Sequence, residues 1–378
     1  MNLFCRNHLL KILNSFDMQL GPLDGYLASY FRANKACGSK DRACIAETIY
    51  GLMRWRALFD FLLKKPKVSW EERVDLFFQK KPEDFLTDTT IPLHIRLSFP
   101  KLLFQEIVSS WGEEKASKIC LALNGPAPTT LRANTLKIGR DALVERLKTD
   151  GLLVSPTTVS PHGIICHKKV NFFALPAFKE GLFEVQDEAS QLVALFCPAK
   201  PQDLVLDFCS GSGGKTLALA CKLAGTGQLF LHDVRERALI EARRRLKRAS
   251  IQNCQLIHSD EKEKLEKLKK KMDLVLVDSP CSGTGTLRRN PDMKWKYTPE
   301  MLDRLAGMQR TIFEQALSFV KPSGRIVYAT CSILGRENGD QIDHFLKTYP
   351  LEVEGTPFQT LPEKGAMDGF FAVCFRKK

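Results

Sequence analysis

From about residue 202 the chain alternates short apolar runs with helical or turn segments. That alternation limits the possible folds more than any other feature. "LVLDFC", "GQLFLHDV", "CQLIHSD", "MDLVLVDSP" and "GRIVYATCS" are β-branched or leucine-rich stretches of strand length. Each is followed by a helix or a turn, the pattern of a parallel sheet with right-handed crossovers. "GFFAVCFRKK" supplies a final strand. The expected class is α/β, with a doubly wound, Rossmann-like sheet.

Upstream the texture changes twice. Residues 1–124 carry helical periodicity. In "DRACIAETIYGLMRWRALFDFLLKK" the side chains of Ile45, Ile49, Leu52 and Met53 share one face, with arginines and lysines elsewhere. "PKLLFQEIVSSWG" closes this region, with Gly112 as its C-cap. Pro126 and Pro128 then mark a linker. Strand-like pieces flank the helix "RDALVERLKTDG", forming a small α/β module that ends near Gly181. "FEVQDEASQLVALF" reads as one helix leading into the sheet. Three domains are expected: residues 1–124, helical; 125–181, the connecting module; and 182–378, the sheet domain. A chain of 378 residues exceeds what one hydrophobic core serves.

A net charge of +13 favours a polyanionic partner, nucleic acid before an anionic membrane. The twelve cysteines are scattered, with no Cys-x-x-Cys pair. This excludes a disulfide framework or a zinc site and places the thiols in a reducing compartment. "MNLFCRNHLLKILNSF" has polar residues at helical spacing and reads as an amphipathic helix, not a signal peptide. No apolar run approaches the ~18 residues that span a bilayer. A cytoplasmic, metal-free monomer is expected.

"LVLDFCSGSGGKT" ends as a triphosphate loop would. A Walker loop, however, needs a glycine where Cys209 stands, and Asp207 puts an anion beside the phosphate position. The dinucleotide pattern fails as well, because Gly211, Gly213 and Gly214 are spaced differently. What survives is a strand, a glycine turn and a helix at the carboxyl edge of a sheet. The following strands end in Asp233 and in Ser259-Asp260. Acids at these places suit an adenosine-bearing ligand with no phosphate chain, of which S-adenosyl-L-methionine, a sulfonium cation, is one.

"VDSPCSGTGTLRRNPDMKW" and "IVYATCSILGRENGDQID" each put a cysteine just past a strand, Cys281 and Cys331, at the edge that carries the glycine loop. Cytosine C5 is too weak a nucleophile to take a methyl group unaided. A thiolate adding to C6 makes C5 enamine-like, a carboxyl group on N3 stabilises the adduct, and a base then removes the C5 proton. Two thiols and Asp278 on neighbouring strand ends match that requirement. The Asn/Asp-Pro-Pro-aromatic turn of amino-directed methyltransferases is absent.

"DFCSGSGGKT", "LVDSPCSGTGTLRRNPDMKW" and "YATCS" resemble the signature blocks of the RsmB/Sun/Fmu and NSUN family of RNA cytosine-5 methyltransferases. "FEVQDEAS" and "DGFFAVCFRK" match as well, "RACIAETIYGLMRW" is similar to the NusB-like N-terminal domain of the RsmB branch, and "LRANTLK" resembles that branch's connecting module. The resemblance implies a class I methyltransferase fold and transfer of a methyl group to C5 of a cytidine in RNA, 16S ribosomal RNA before tRNA. It implies Cys331 as nucleophile, Cys281 as the aid to product release, and Asp278 against both base and methyl donor. Cys209, Ser210, Gly211, Ser212, Gly213, Gly214, Lys215, Asp233 and Asp260 would hold S-adenosyl-L-methionine. Arg288, Arg289, Lys294 and Trp295, just past the Cys281 turn, are expected to meet RNA phosphates and stack near an extruded base. The family loop usually has Pro where Ser212 stands, so a looser turn is expected here. The rival readings are a non-catalytic NusB-like RNA-binding factor and a P-loop NTPase.

Overall fold

The computed structural model describes residues 1–18, 21–168 and 170–378. The chain divides into two compact units. One comprises Met1–Pro126 with Thr286–Leu302, the other Ala127–Gly285 with Asp303–Lys378.

The first unit is helical: α1 (Leu3–Ser15), α2 (Leu23–Ala33), α3 (Ser39–Leu63), α4 (Trp70–Gln79), α5 (Leu93–Arg96), α6 (Lys101–Trp111) and α7 (Glu113–Asn124). Its core gathers Leu9 and Ile12 of α1 with Ile45, Ile49, Leu52, Met53 and Phe59 of α3, all fully buried. Ser69 and Glu72 form a capping box that starts α4, and Gly112 ends α6 with a φ of 73°. The segment 286–302 docks here. The Trp295 indole donates to Met53 O at 2.7 Å, and Lys296 Nζ donates to Gly21 O at 2.7 Å.

In the second unit a four-stranded antiparallel sheet comes first. It contains β1 (Thr129–Ala133), β2 (Val154–Pro156), β3 (Gly163–Cys166) and β4 (Phe183–Val185), in the order β2-β3-β1-β4. The helix α8 (Arg140–Thr149) packs its buried Leu143, Val144 and Leu147 into the core of this module. Strand β4 corrects the expectation of one helix over 183–196. Phe183–Val185 pair with β1, and after the short helix α9 (Pro176–Lys179) the next helix, α10, covers only Glu188–Phe196. Asp187 stops the strand by accepting the Ala189 amide as N-cap.

The large sheet contains β5 (Leu204–Asp207), β6 (Gln228–His232), β7 (Cys254–Ile257), β8 (Met272–Asp278), β9 (Val320–Thr330), β10 (Leu351–Val353) and β12 (Phe371–Lys377), with β11 (Phe358–Gln359) paired to β12. The order is β10-β12-β9-β8-β5-β6-β7. Strands β5 to β9 run parallel, as the alternation predicts, but β12 lies antiparallel to β9 and to β10. With a neighbour on each side, β12 is apolar on both faces. Ala372 and Cys374 face one core, while Phe371, Val373 and Phe375 face the other. Helices α11 (Gly214–Lys222), α12 (Glu236–Arg248), α13 (Lys262–Glu266), α14 (Pro299–Leu317) and α15 (Gly339–Thr348) complete the chain. From β5 the chain runs outward through β6 and β7, then returns to lay β8 on the other side of β5. This makes a topological switch point at the carboxyl ends of β5 and β8, where such sheets bind ligands.

Candidate active site

The switch point opens into a cavity of about 880 Å³. Its floor is the turn after β5. Gly211 and Gly213 have φ of 53° and 77°, a region that side chains strain to enter, and this is why glycines stand there. Asp233, past the end of β6, accepts the Gly211 amide at 2.8 Å and also binds the Arg235 guanidinium. Burial pushes its carboxyl up, but these hydrogen bonds outweigh burial and hold it below its usual range.

Asp207 sits beneath the turn and accepts the Thr216 hydroxyl at 2.6 Å. Burial raises its carboxyl to about 7. Lys215 is nearly sealed, and its ammonium reaches Asp278 Oδ2 at 2.5 Å. Burial would lower the amine, yet the charge of Asp278 and this hydrogen bond keep it above its ordinary value. A lysine so committed is withdrawn from any triphosphate, in keeping with the missing Walker glycine.

The two thiols meet at the cavity wall. Cys281 Sγ and Cys331 Sγ lie 3.4 Å apart, and both line the cavity with Asp278. Their loops interlock. The Gly285 amide donates to Cys331 O and the Gly369 amide to Gly285 O, each at 2.9 Å. A Cβ on Gly285 would fall 2.1 Å from Gly369 O, so only glycine permits this approach.

Beneath the thiols, Glu337 is fully buried. It accepts the Ser282 amide at 2.8 Å, the Ser282 hydroxyl at 2.5 Å and the Gln309 amide at 2.9 Å. Gln309 also donates to Pro280 O at 3.0 Å. The hydrogen bond to Cys331, then burial, then the charges of Cys331 and Glu337 push the Cys281 thiol well up, so it stays protonated. Sequence reasoning missed Glu337 and Gln309. The only signal was a charged residue six places beyond Cys331, in a stretch that otherwise reads as a loop.

The remaining expected site residues divide. Cys209, Ser210, Gly211, Ser212, Gly214, Lys215, Asp233 and Asp278 line the cavity, together with the unforeseen Gln186, Arg245, Met308, Ile312 and Gln315. Gly213 and Asp260 do not; Gly213 shapes the turn without lining the cavity, and Asp260 is exposed beyond β7, past the strand end. The four residues expected to meet RNA belong to the helical unit. Arg288 and Lys294 are buried there, 1% exposed each, and so do not present charge to phosphate. Lys294 donates to Arg54 O and to Asn124 Oδ1, and burial drops its amine well below the usual lysine range. Trp295 is packed beneath Arg56 against the α3 core. Arg289 and Trp295 are half-buried.

The cavity suits S-adenosyl-L-methionine. The hydroxyls of Ser210 and Ser279 are buried in its lining without a hydrogen-bond partner among the described residues, and Phe208 and Ile312 give it apolar walls. The carboxylates of Asp233 and Asp278 suit a cationic ligand. Fold and site together define a class I, S-adenosylmethionine-dependent methyltransferase. Residues 194–376 match the family described as 16S rRNA methyltransferase RsmB/F, and residues 99–172 the RsmF/B-like ferredoxin-like domain.

Ribosomal RNA small subunit methyltransferase B of Proteus mirabilis is 30% identical over 89% of this chain and 77% of its own length. The probable ribosomal RNA small subunit methyltransferase B of Synechocystis is 29% identical over 79% of this chain and 71% of its own. The chain belongs to the RsmB/F methyltransferase family. The crystal structure of PH0851 shares the fold, with a TM-score of 0.83 at 22% identity, over 99% of this chain and 98% of that one. Among the described residues no helix is long and apolar enough to cross a membrane.

Proposed function

We propose that this enzyme methylates C5 of a cytidine in 16S ribosomal RNA, with Cys331 as nucleophile. The observation that carries the reading is the thiol pair, 3.4 Å apart on the wall of the cavity that holds the glycine turn. The pair is unequal. Cys281 is held as a neutral S–H, so Cys331 is the thiol assigned to the attack.

The Cys331 thiolate adds to C6 of the extruded base, and the ring electrons displaced to N3 are met by a proton passed from the Lys215 ammonium through Asp278, which returns when the adduct collapses. Residues 209–215 and Asp233 would hold S-adenosyl-L-methionine, whose sulfonium would supply the methyl group to C5. Once Cys331 is a thioether, its hydrogen bond no longer holds the Cys281 proton. Cys281 then ionises more readily and assists loss of the C5 proton. The C5–C6 double bond reforms and Cys331 leaves as thiolate. The helical unit, NusB-like by resemblance, would grip flanking RNA.

The test is a pair of variants assayed on 16S and transfer RNA. Cys331→Ala should leave no methyl transfer. Cys281→Ala should form a protein–RNA adduct that survives denaturing electrophoresis, and bisulfite sequencing should place the modified cytidine in 16S RNA. Full turnover by Cys331→Ala would reverse the assignment of the two thiols.

A further inference from the structure

We infer that Arg245 is a positioning residue of the cofactor turn, restraining Ser212 through hydrogen bonds where a prolyl ring would restrain it covalently. Ser212 lies between two glycines in the left-handed region, the part of the turn with least intrinsic restraint. Arg245 Nη1 donates to Ser212 O at 2.9 Å and to Ser212 Oγ at 2.8 Å. One group thus grips the backbone and the side chain of the same residue. The opposite edge of the guanidinium is fixed. Nε and Nη2 bind Glu184 Oε2 at 3.1 and 3.0 Å.

Glu184 is 4% exposed and belongs to β4, within the four-stranded sheet. Its other oxygen accepts Arg248 Nη2 at 2.5 Å. A planar fork of fixed geometry suits such a bridge, because its separate nitrogens face the carboxylate on one edge and the turn oxygens on the other, which the single nitrogen of a lysine does not. A second tie runs from the same segment: Gln186 accepts Arg132 Nε at 2.7 Å and donates to Gly214 O at 3.3 Å. The turn is therefore registered against the small sheet, and replacing proline by serine does not leave it loose.

The inference rests on the reading that this cavity holds S-adenosylmethionine. Its test uses the full chain and two readouts, calorimetric affinity for S-adenosylhomocysteine and hydrogen exchange of the turn amides in the free protein. Losing two charge-assisted bonds, Arg245→Met should weaken binding roughly tenfold or more and speed exchange at residues 210–214 to a similar degree. Arg245→Lys should fall between Met and wild type. In a Ser212→Pro background the same Arg245→Met change should alter both readouts less than about threefold, since the ring supplies the restraint. Non-specific damage to the fold would not be relieved in this way. Unchanged affinity and exchange in Arg245→Met, or an equal effect with and without the proline, would overturn the inference. If the wild-type chain fails to bind the ligand while turn exchange still responds to Arg245→Met, the cofactor reading fails and the restraint itself stands.

Discussion

The chemistry is carried by a few titratable atoms in unequal surroundings. Cys281 keeps its proton because of its hydrogen bond to Cys331 and its burial, and the Glu337 carboxylate adds to the effect. Glu337→Gln preserves a hydrogen-bonding side chain but removes that charge. The Cys281 peptide should therefore be alkylated by iodoacetamide at lower pH than in wild type, as read by mass spectrometry. Asp207 offers a second test. Burial pushes its carboxyl from an ordinary 3.8 up to about 7, so the folded state binds the proton more tightly. Stability from this group is present at low pH and is lost as pH rises to 7, with a limiting slope of about 1.4 kcal/mol per pH unit. Asp207→Asn should flatten that slope, so between pH 5.5 and 7.5 its melting temperature should rise relative to wild type. A parallel pH dependence in both proteins would contradict the assigned titration.

Between residues and domains stand the loops that place the thiols. Glu337→Ala would leave the Ser282 amide and the Gln309 amide without their buried acceptor, each costing about 1–3 kcal/mol. Its melting temperature should fall well below that of Glu337→Gln. The segment 286–302 behaves as an inserted element of the helical unit. Trp295→Ala should cost about 3 kcal/mol through lost packing, and Lys294→Met should alter melting without changing the salt dependence of RNA binding. From the sequence, "RRNPDMKW" looks like a basic and aromatic RNA contact because local composition is all that a linear reading offers. Burial of Arg288 and Lys294 depends on α3 and α7, far away in the chain. The same limit hid β4: "FEV" fits a helix in isolation, and its partner, β1, lies some fifty residues upstream.

At the scale of the whole chain, the charge of +13 should make RNA capture strongly dependent on salt while leaving the small cofactor indifferent to it. Affinity for a 16S fragment should fall by roughly two orders of magnitude or more between about 50 and 200 mM salt. Affinity for S-adenosylhomocysteine should stay within about twofold, and comparable salt sensitivity of the two ligands would argue against an electrostatic RNA interface.

The sequence by itself determined the sheet, the glycine turn, the acids at β5, β6 and β8 and both cysteines. Strand periodicity, left-handed glycines and reactive side chains are local properties, written in neighbouring letters. Tertiary structure alone decided that the thiols touch, that Lys215 pairs with Asp278, that Asp260 stands outside, and that Arg245 and Glu337 hold the two loops. Those outcomes depend on which distant segments share a desolvated space, and burial is a property of the packed chain.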